Sequence, residues 1–280
     1  MKSSSELFPV ALASAEFKEG VYEDVYSLKP NNSTDKTVEI ALVRLHQEKV
    51  TKALPLLLVH DAFYNHWQWL DYGVGGTAGE LVRQGYDVWL LDWRGHGLSS
   101  RNQRPQTNTL DIMAEYDLPS VFAFIEERCG HKPAVVARGM GCELISRTLA
   151  YGETLPELLF VNSHQLPPRR LYWLPGTKLI QRIRLLKSAW VKGPGEEMEV
   201  RQLFRQLLKK GGWFGGWKTT GGQAIRPSLD THQDVTRWVF EPGRTPSWLK
   251  RLRVAEDHRS EARVVDFDWA ALLPKASEPA

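Results

Sequence analysis

The sequence predicts an α/β fold: a doubly wound, mostly parallel sheet with helices on both faces. Three observations predict it. Short continuous apolar runs recur along the chain, as strands buried on both faces require. Stretches with helical periodicity or helix-stop residues separate them. The 280 residues, 42% hydrophobic and 25% charged, are enough to bury the core of one large domain.

Val21–Leu28 and Thr37–Leu45 read as strands joined by the turn Pro30-Asn31-Asn32-Ser33. Leu56–Val59, just after Pro55, reads as a fully buried strand. Thr77–Gln84 is a helix stopped by Gly85, and Tyr86–Asp92 is the next buried strand. Across Asp111–Cys129, the residues Ile112, Tyr116, Val121, Phe124 and Ile125 follow a 3.6-residue period interrupted at Pro119, and Gly130 closes the helix. Ala134–Ala137 is a third buried strand, a helix follows from Gly141 to Tyr151, and Leu158–Asn162 is a fourth strand. Strands resume at Thr236–Glu241 and Ala262–Phe267, with a helix at Ser247–Glu256 between them. Such alternation is the pattern of a doubly wound sheet.

Residues 165–228 break the pattern. They lack buried strands and hold two basic amphipathic stretches, Lys178–Val191 and Glu196–Lys210, followed by a loop rich in Gly and Trp. This block reads as a mainly helical cap inserted in a single domain spanning 1–280. It carries 13 Lys/Arg against 3 Asp/Glu, whereas the rest of the chain has 23 against 30. That asymmetry points to an anionic partner for the cap. Lys178, Arg182, Arg184 and Lys187, set among leucines and isoleucines, are either the solvated face of an ordinary cap helix or the candidate surface for an anionic membrane, an acidic protein or an acyl carrier. No nucleic-acid-binding motif appears, so nucleic acid is not expected. Cys129 and Cys142, the only cysteines, give neither a disulfide framework nor metal-ligand spacing. No metal and no cofactor are expected, and a cytoplasmic location is. The first fifteen residues make a poor signal peptide, because Pro9 interrupts a short apolar patch that Glu6 precedes.

Four segments in order carry a resemblance. They are Val59-His60-Asp61-Ala62, Gly85-Tyr86-Asp87-Val88-Trp89-Leu90, Asp92-Trp93-Arg94-Gly95-His96-Gly97-Leu98-Ser99 and Glu115-Tyr116-Asp117-Leu118-Pro119. Over about residues 50–165 the chain resembles the α/β-hydrolase family, and within it the acid-lipase-like branch. The resemblance implies a nucleophile elbow, G-x-S-x-G, on a sharp turn between strand and helix. Here that segment reads Ala137-Arg138-Gly139-Met140-Gly141, so Gly139 stands where the serine is expected, and glycine cannot attack a carbonyl. Cys142 lies about 300° of helical rotation further on and is expected to pack as a small hydrophobe. Ser99 and Ser163 lie near strand ends, away from the elbow.

The other two triad members also fail to appear. An acid is expected near 244–245, after the strand Thr236–Glu241, and a histidine after Ala262–Phe267. Neither is there: Asp230 and His232 come too early, and His258 is the last histidine. What remains is backbone. The N–H groups of Met140 and Ala62 can form a pocket for an anion or carbonyl. Asp61 replaces the glycine that the family carries after its histidine. A carboxylate there opposes oxyanion chemistry unless it is protonated or turned away. Its plain role is to be solvated or to bond nearby backbone N–H groups. Phe63, Tyr64, His66, Trp67 and Trp69 either line an aromatic pocket or pack the loop against the cap. His96 is expected to be structural. The candidate ligand pocket is therefore Asp61, Ala62, Phe63, Gly139 and Met140.

The leading expectation is a catalytically degenerate lipase- or esterase-like protein that binds a small apolar or acyl ligand or a partner protein. The alternatives are an active hydrolase with atypical residues, and a membrane- or lipid-associated accessory subunit acting through the basic cap.

Overall fold

The computed structural model describes residues 3–30, 33–50, 54–70, 76–163, 189–203, 206, 217–246, 249, 252, 254–262 and 273. Its centre is a nine-stranded sheet. In chain order the strands are β1 (Val10–Lys18), β2 (Val21–Leu28), β3 (Ile40–His46), β4 (Leu56–Val59), β5 (Val88–Leu91), β6 (Ala134–Arg138), β7 (Leu158–Val161), β10 (Thr236–Phe240) and β11 (Arg259–Glu261). Across the sheet they run β1-β2-β3-β5-β4-β6-β7-β10-β11. The pairs from β5 through β11 are parallel, and β1, β2 and β3 add an antiparallel edge. A two-stranded antiparallel hairpin, β8 (Trp190–Lys192) and β9 (Met198–Val200), lies apart from the sheet.

Period-two alternation assigns each strand residue to a face. Leu57, Val59, Trp89, Leu91, Val135, Ala137, Phe160 and Trp238 share one core, with α4 (Leu118–Cys129), α5 (Met140–Ala150) and α6 (Ile225–Thr231) packed on it. Leu56, Leu58, Val88, Leu90, Val136, Leu159 and Val239 belong to a second core, covered by α1 (Trp67–Leu70) and α2 (Thr77–Arg83). The strands are apolar without alternation because both of their faces are covered.

The sequence expectations need three corrections. Val10–Lys18 is a strand of the sheet, although only Val10 in it is buried; its exposed residues hide the strand from a hydrophobicity reading. The last described strand is Arg259–Glu261, upstream of the apolar run Ala262–Phe267, of which 263–267 lie outside the described residues. The amphipathic stretch beginning at Glu196 opens with strand β9 and turns helical only at 201–203. Half of the expected helix Ser247–Glu256, residues 247, 248, 250, 251 and 253, is outside the described residues.

The helical segment around Pro119 shows how the sheet's flank is fastened. α3 (Leu110–Ile112), capped by the Thr109 side chain, runs into a π-helical turn, Met113–Asp117, and then into α4. The wider turn sits just before Pro119, which has no N–H to give. It ends on buried Asp117, whose carboxylate accepts both Nε (2.7 Å) and Nη2 of buried Arg94. This forked pair ties the turn after β5 to the helix on the sheet's face. Gly130, with φ 80°, closes α4, and its N–H bonds the Glu126 carbonyl.

Arg94→Leu is expected to destabilise the fold by about 3–5 kcal/mol, because it leaves the Asp117 charge buried and unpaired. Urea denaturation measures this, and the double change Arg94→Leu/Asp117→Leu should recover most of the loss.

Candidate functional site

The site lies at the C-terminal ends of β4 and β6, where parallel strands hand the chain to loops and helices. β6 ends at Arg138, α5 begins at Met140, and Gly139 makes the whole turn with φ 54° and ψ −114°. Positive φ is uncommon for any residue but glycine, and here it reverses the chain within one residue. The Gly139 N–H bonds the Val161 carbonyl (3.0 Å), which anchors the turn to β7. Gly141 allows α5 to start against the exit of β4. A methyl there would lie 2.8 Å from the His60 carbonyl oxygen and 3.0 Å from that of Val59.

Asp61, on the loop after β4, turns its carboxylate into this corner. Oδ1 accepts the Met140 N–H (2.6 Å) and the Ala62 N–H (2.7 Å). The side chain fills the space in front of Gly139: a Cβ at 139 would overlap Cγ and both carboxylate oxygens of Asp61. Burial pushes the Asp61 pKa up, and the two N–H bonds pull against that shift. Asp61 thus bonds nearby backbone N–H groups, the plainer of the roles its sequence position suggested.

His60, fully buried, orients the loop from beneath. Its Nδ1–H donates to the Asp61 carbonyl (2.8 Å), and its Nε2 accepts the Trp93 N–H (3.2 Å). Those two partners fix a neutral tautomer. Burial, and then the His96 ring 5.6 Å away, bring the His60 pKa down to about 4. His96 differs. Burial opposes its charge too, yet Glu199, 3.0 Å from Nε2, raises its pKa, and His96 in turn lowers that of Glu199.

Glu199 belongs to the hairpin, and so does Glu197, on its connecting turn. Glu199 Oε1 also accepts the Phe63 N–H (3.0 Å), and the Glu197 N–H donates to the Phe63 carbonyl (2.9 Å). The Glu197 carboxylate accepts from Asn65 Nδ2 and the Gly97 N–H, both at 2.9 Å. Gly193 and Gly195 have no side chains where Phe63 presses against the hairpin: a Cβ at either would overlap it. Phe63 itself sits at φ 69°, a rare conformation for a bulky residue and one that marks a held loop. Phe63 and Tyr64 therefore lie against the inserted segment, while Trp67 is exposed. His66 faces inward, with Nδ1 2.7 Å from Asp92 Oδ2, and Trp69 is buried.

Of the sequence candidates, Asp61, Ala62, Gly139 and Met140 converge, while Phe63 is drawn to the hairpin. Lys178, Arg182, Arg184 and Lys187 lie outside the described residues. Cys142 is fully buried, its thiol donates to the Ala137 carbonyl, and burial raises its pKa well above the usual thiol value, so it is no nucleophile. The Ser99 hydroxyl donates to the Asp92 carbonyl and accepts the Ala41 N–H, a structural use. Glu241 directly follows β10 and pairs with Arg244 (2.9 Å). Nδ1 of His232 and of His258 each bonds a backbone carbonyl, of Ser228 and Gln233 respectively. Sequence reasoning missed Glu197 and Glu199. Among the described residues no group of three His, Cys, Asp or Glu side chains is placed to hold a metal ion.

A parallel sheet in this strand order, a one-residue turn from strand to helix and two converging N–H donors define the scaffold of the α/β hydrolases. The sequence profile of the Alpha/beta hydrolase family matches residues 56–277, and the chain belongs to that family. It is 30% identical over 125 residues to Lipase member N of Homo sapiens, covering 39% of this chain and 31% of that one. To Lipase member N of Mus musculus it is 31% identical over 81 residues, 26% of this chain and 20% of that one. The chain thus spans less than a third of the length of these curated relatives. The structure titled thioesterase domain from the curacin biosynthetic pathway has the same fold, with a TM-score of 0.53 at 15% identity, over 85% of this chain and 91% of that one.

His60 makes stability depend on acid. The folded chain keeps it neutral, while the unfolded chain protonates it below about pH 6.5. Its contribution is therefore complete above pH 6.5 and lost as pH falls to about 4. The loss should reach about 3 kcal/mol by denaturant unfolding. His60→Gln, which keeps an acceptor for the Trp93 N–H, should remove that part of the pH dependence.

Proposed function

We propose that this α/β-hydrolase-fold protein is catalytically degenerate, a pseudo-lipase or pseudo-esterase that works by binding a partner protein or a small apolar or acyl ligand. The observation that carries the reading is the turn at Gly139. It has the geometry of a nucleophile elbow without a side chain to react, and a carboxylate lies where one would point. The surroundings support it. The residue that follows β10 is engaged with Arg244, and no histidine follows β11, since His258 is the last in the chain. Serine chemistry needs a base to take the hydroxyl proton and an acid to hold that base.

The cap supplies the partner surface in this reading. Lys178, Arg182, Arg184 and Lys187 would meet an anionic membrane or an acidic protein, which is the basis of the accessory-subunit alternative. Two free thiols, Cys129 and Cys142, fit a reducing, cytoplasmic setting. No helix among the described residues is long and apolar enough to cross a membrane.

Wild type and Gly139→Ser are both expected to show no fluorophosphonate labelling and no aryl-ester turnover above a heat-denatured control. Robust turnover by purified wild type would establish the active-hydrolase alternative instead. Reversing the four cap charges to glutamate should abolish any salt-dependent binding to anionic vesicles; binding that persists unchanged would remove the cap from the interaction.

A further inference from the structure

We propose that Asp61 is a built-in occupant of the oxyanion hole, an autoinhibitory carboxylate that closes the hole to acyl ligands, and that Gly139 is the substitution that makes room for it. This rests on the reading of the chain as a non-catalytic hydrolase fold, and it narrows that reading: ligands are received outside the old catalytic corner.

The geometry is specific. Two main-chain N–H donors from separate elements, at Met140 and Ala62, converge on the single atom Oδ1. One oxygen held by two fixed N–H groups is the arrangement that stabilises an oxyanion during acyl transfer. An ester or thioester carbonyl would need the same two donors, and it carries less negative charge than the carboxylate already there. The donors are also rigidly placed, one at the first residue of an eleven-residue helix and one on a loop strapped by Glu199. A side chain at 139 and the carboxylate at 61 compete for one volume, since a Cβ at 139 would overlap the carboxyl group. The two departures from the family pattern are therefore a single change in space. Restoring serine alone meets a filled site; removing the aspartate alone leaves a hole without a nucleophile.

The test uses the full chain and acetate as the probe. In wild type the amide resonances of Ala62 and Met140 should lie far downfield and ignore added acetate. In Asp61→Ala they should move upfield and return saturably with acetate, while chloride at equal ionic strength has no effect. Asp61→Asn keeps an acceptor oxygen and should stay closed to acetate. An Asp61→Ala protein that ignores acetate overturns the proposal, as does a wild type whose two amides respond to it. If Asp61→Ala does not fold, melting temperatures decide. Gly139→Ala should lower the melting temperature by several degrees more in wild type than in Asp61→Gly, and equal shifts overturn the proposal. Ester turnover by wild type would instead remove the non-catalytic reading and leave these readouts standing.

Discussion

The approach of α5 to the exit of β4 sets the geometry of this end of the molecule. Gly141 packs against the main chain of Val59 and His60 so closely that even one methyl group would overlap. Helix and strand exit can then lie no farther apart than backbone on backbone. That separation brings the first N–H of α5 and the N–H of Ala62 onto one point. It also requires a turn of one residue between β6 and α5, which Gly139 makes at positive φ. Neutral His60, trapped between the Asp61 carbonyl and the Trp93 N–H, holds the other side of the same junction.

A second layer keeps the junction closed. The hairpin β8–β9 belongs to a strongly basic segment, yet the only acids of residues 165–228 are Glu196, Glu197 and Glu199. Two of those three bond the loop that follows β4 and the turn that follows β5. Buried Glu199 is satisfied by His96 and by the Phe63 N–H, which meets the requirement that a buried polar group be hydrogen-bonded. Gln206 and Thr220 make a second link, bonding Asp111 and the Leu110 N–H at the start of the helical segment on the sheet's face.

The buried strands and the elbow were readable in the sequence because each is a local property. Leu56–Val59 and Leu158–Val161 are apolar without interruption, and Gly139 follows from the register of Ala134–Arg138. Failures came where local polarity misleads. β1 is exposed along most of its length, and β11, Arg-Ser-Glu, has no apolar residue because it forms a sheet edge. The partners of Asp61 and Glu199 were out of reach for a different reason. Asp61 bonds a residue 79 positions away, and Glu199 one 103 positions away. Spacing cannot express such contacts. The one available signal was the acidic cluster 196–199 within a basic block, which marks residues with a use inside the fold.

Under the proposed non-catalytic reading, the site still has to satisfy its backbone. Without Asp61, the N–H groups of Ala62 and Met140 would point into a partly enclosed corner, and each unpaired buried donor costs about 1–3 kcal/mol. A working hydrolase bears that strain because the hole must stay ready for a developing charge. In the proposed reading, with glycine at the elbow, an open hole brings no such gain. Burying one carboxyl group carries its own cost, visible in the raised pKa of Asp61, and the two short N–H bonds recover part of it. Glycine at 139 is then required by the carboxylate as much as by the turn, since any larger residue would displace the group that satisfies the corner. The aspartate and the glycine occupy complementary space, so in the proposed reading each sets what the other position can hold.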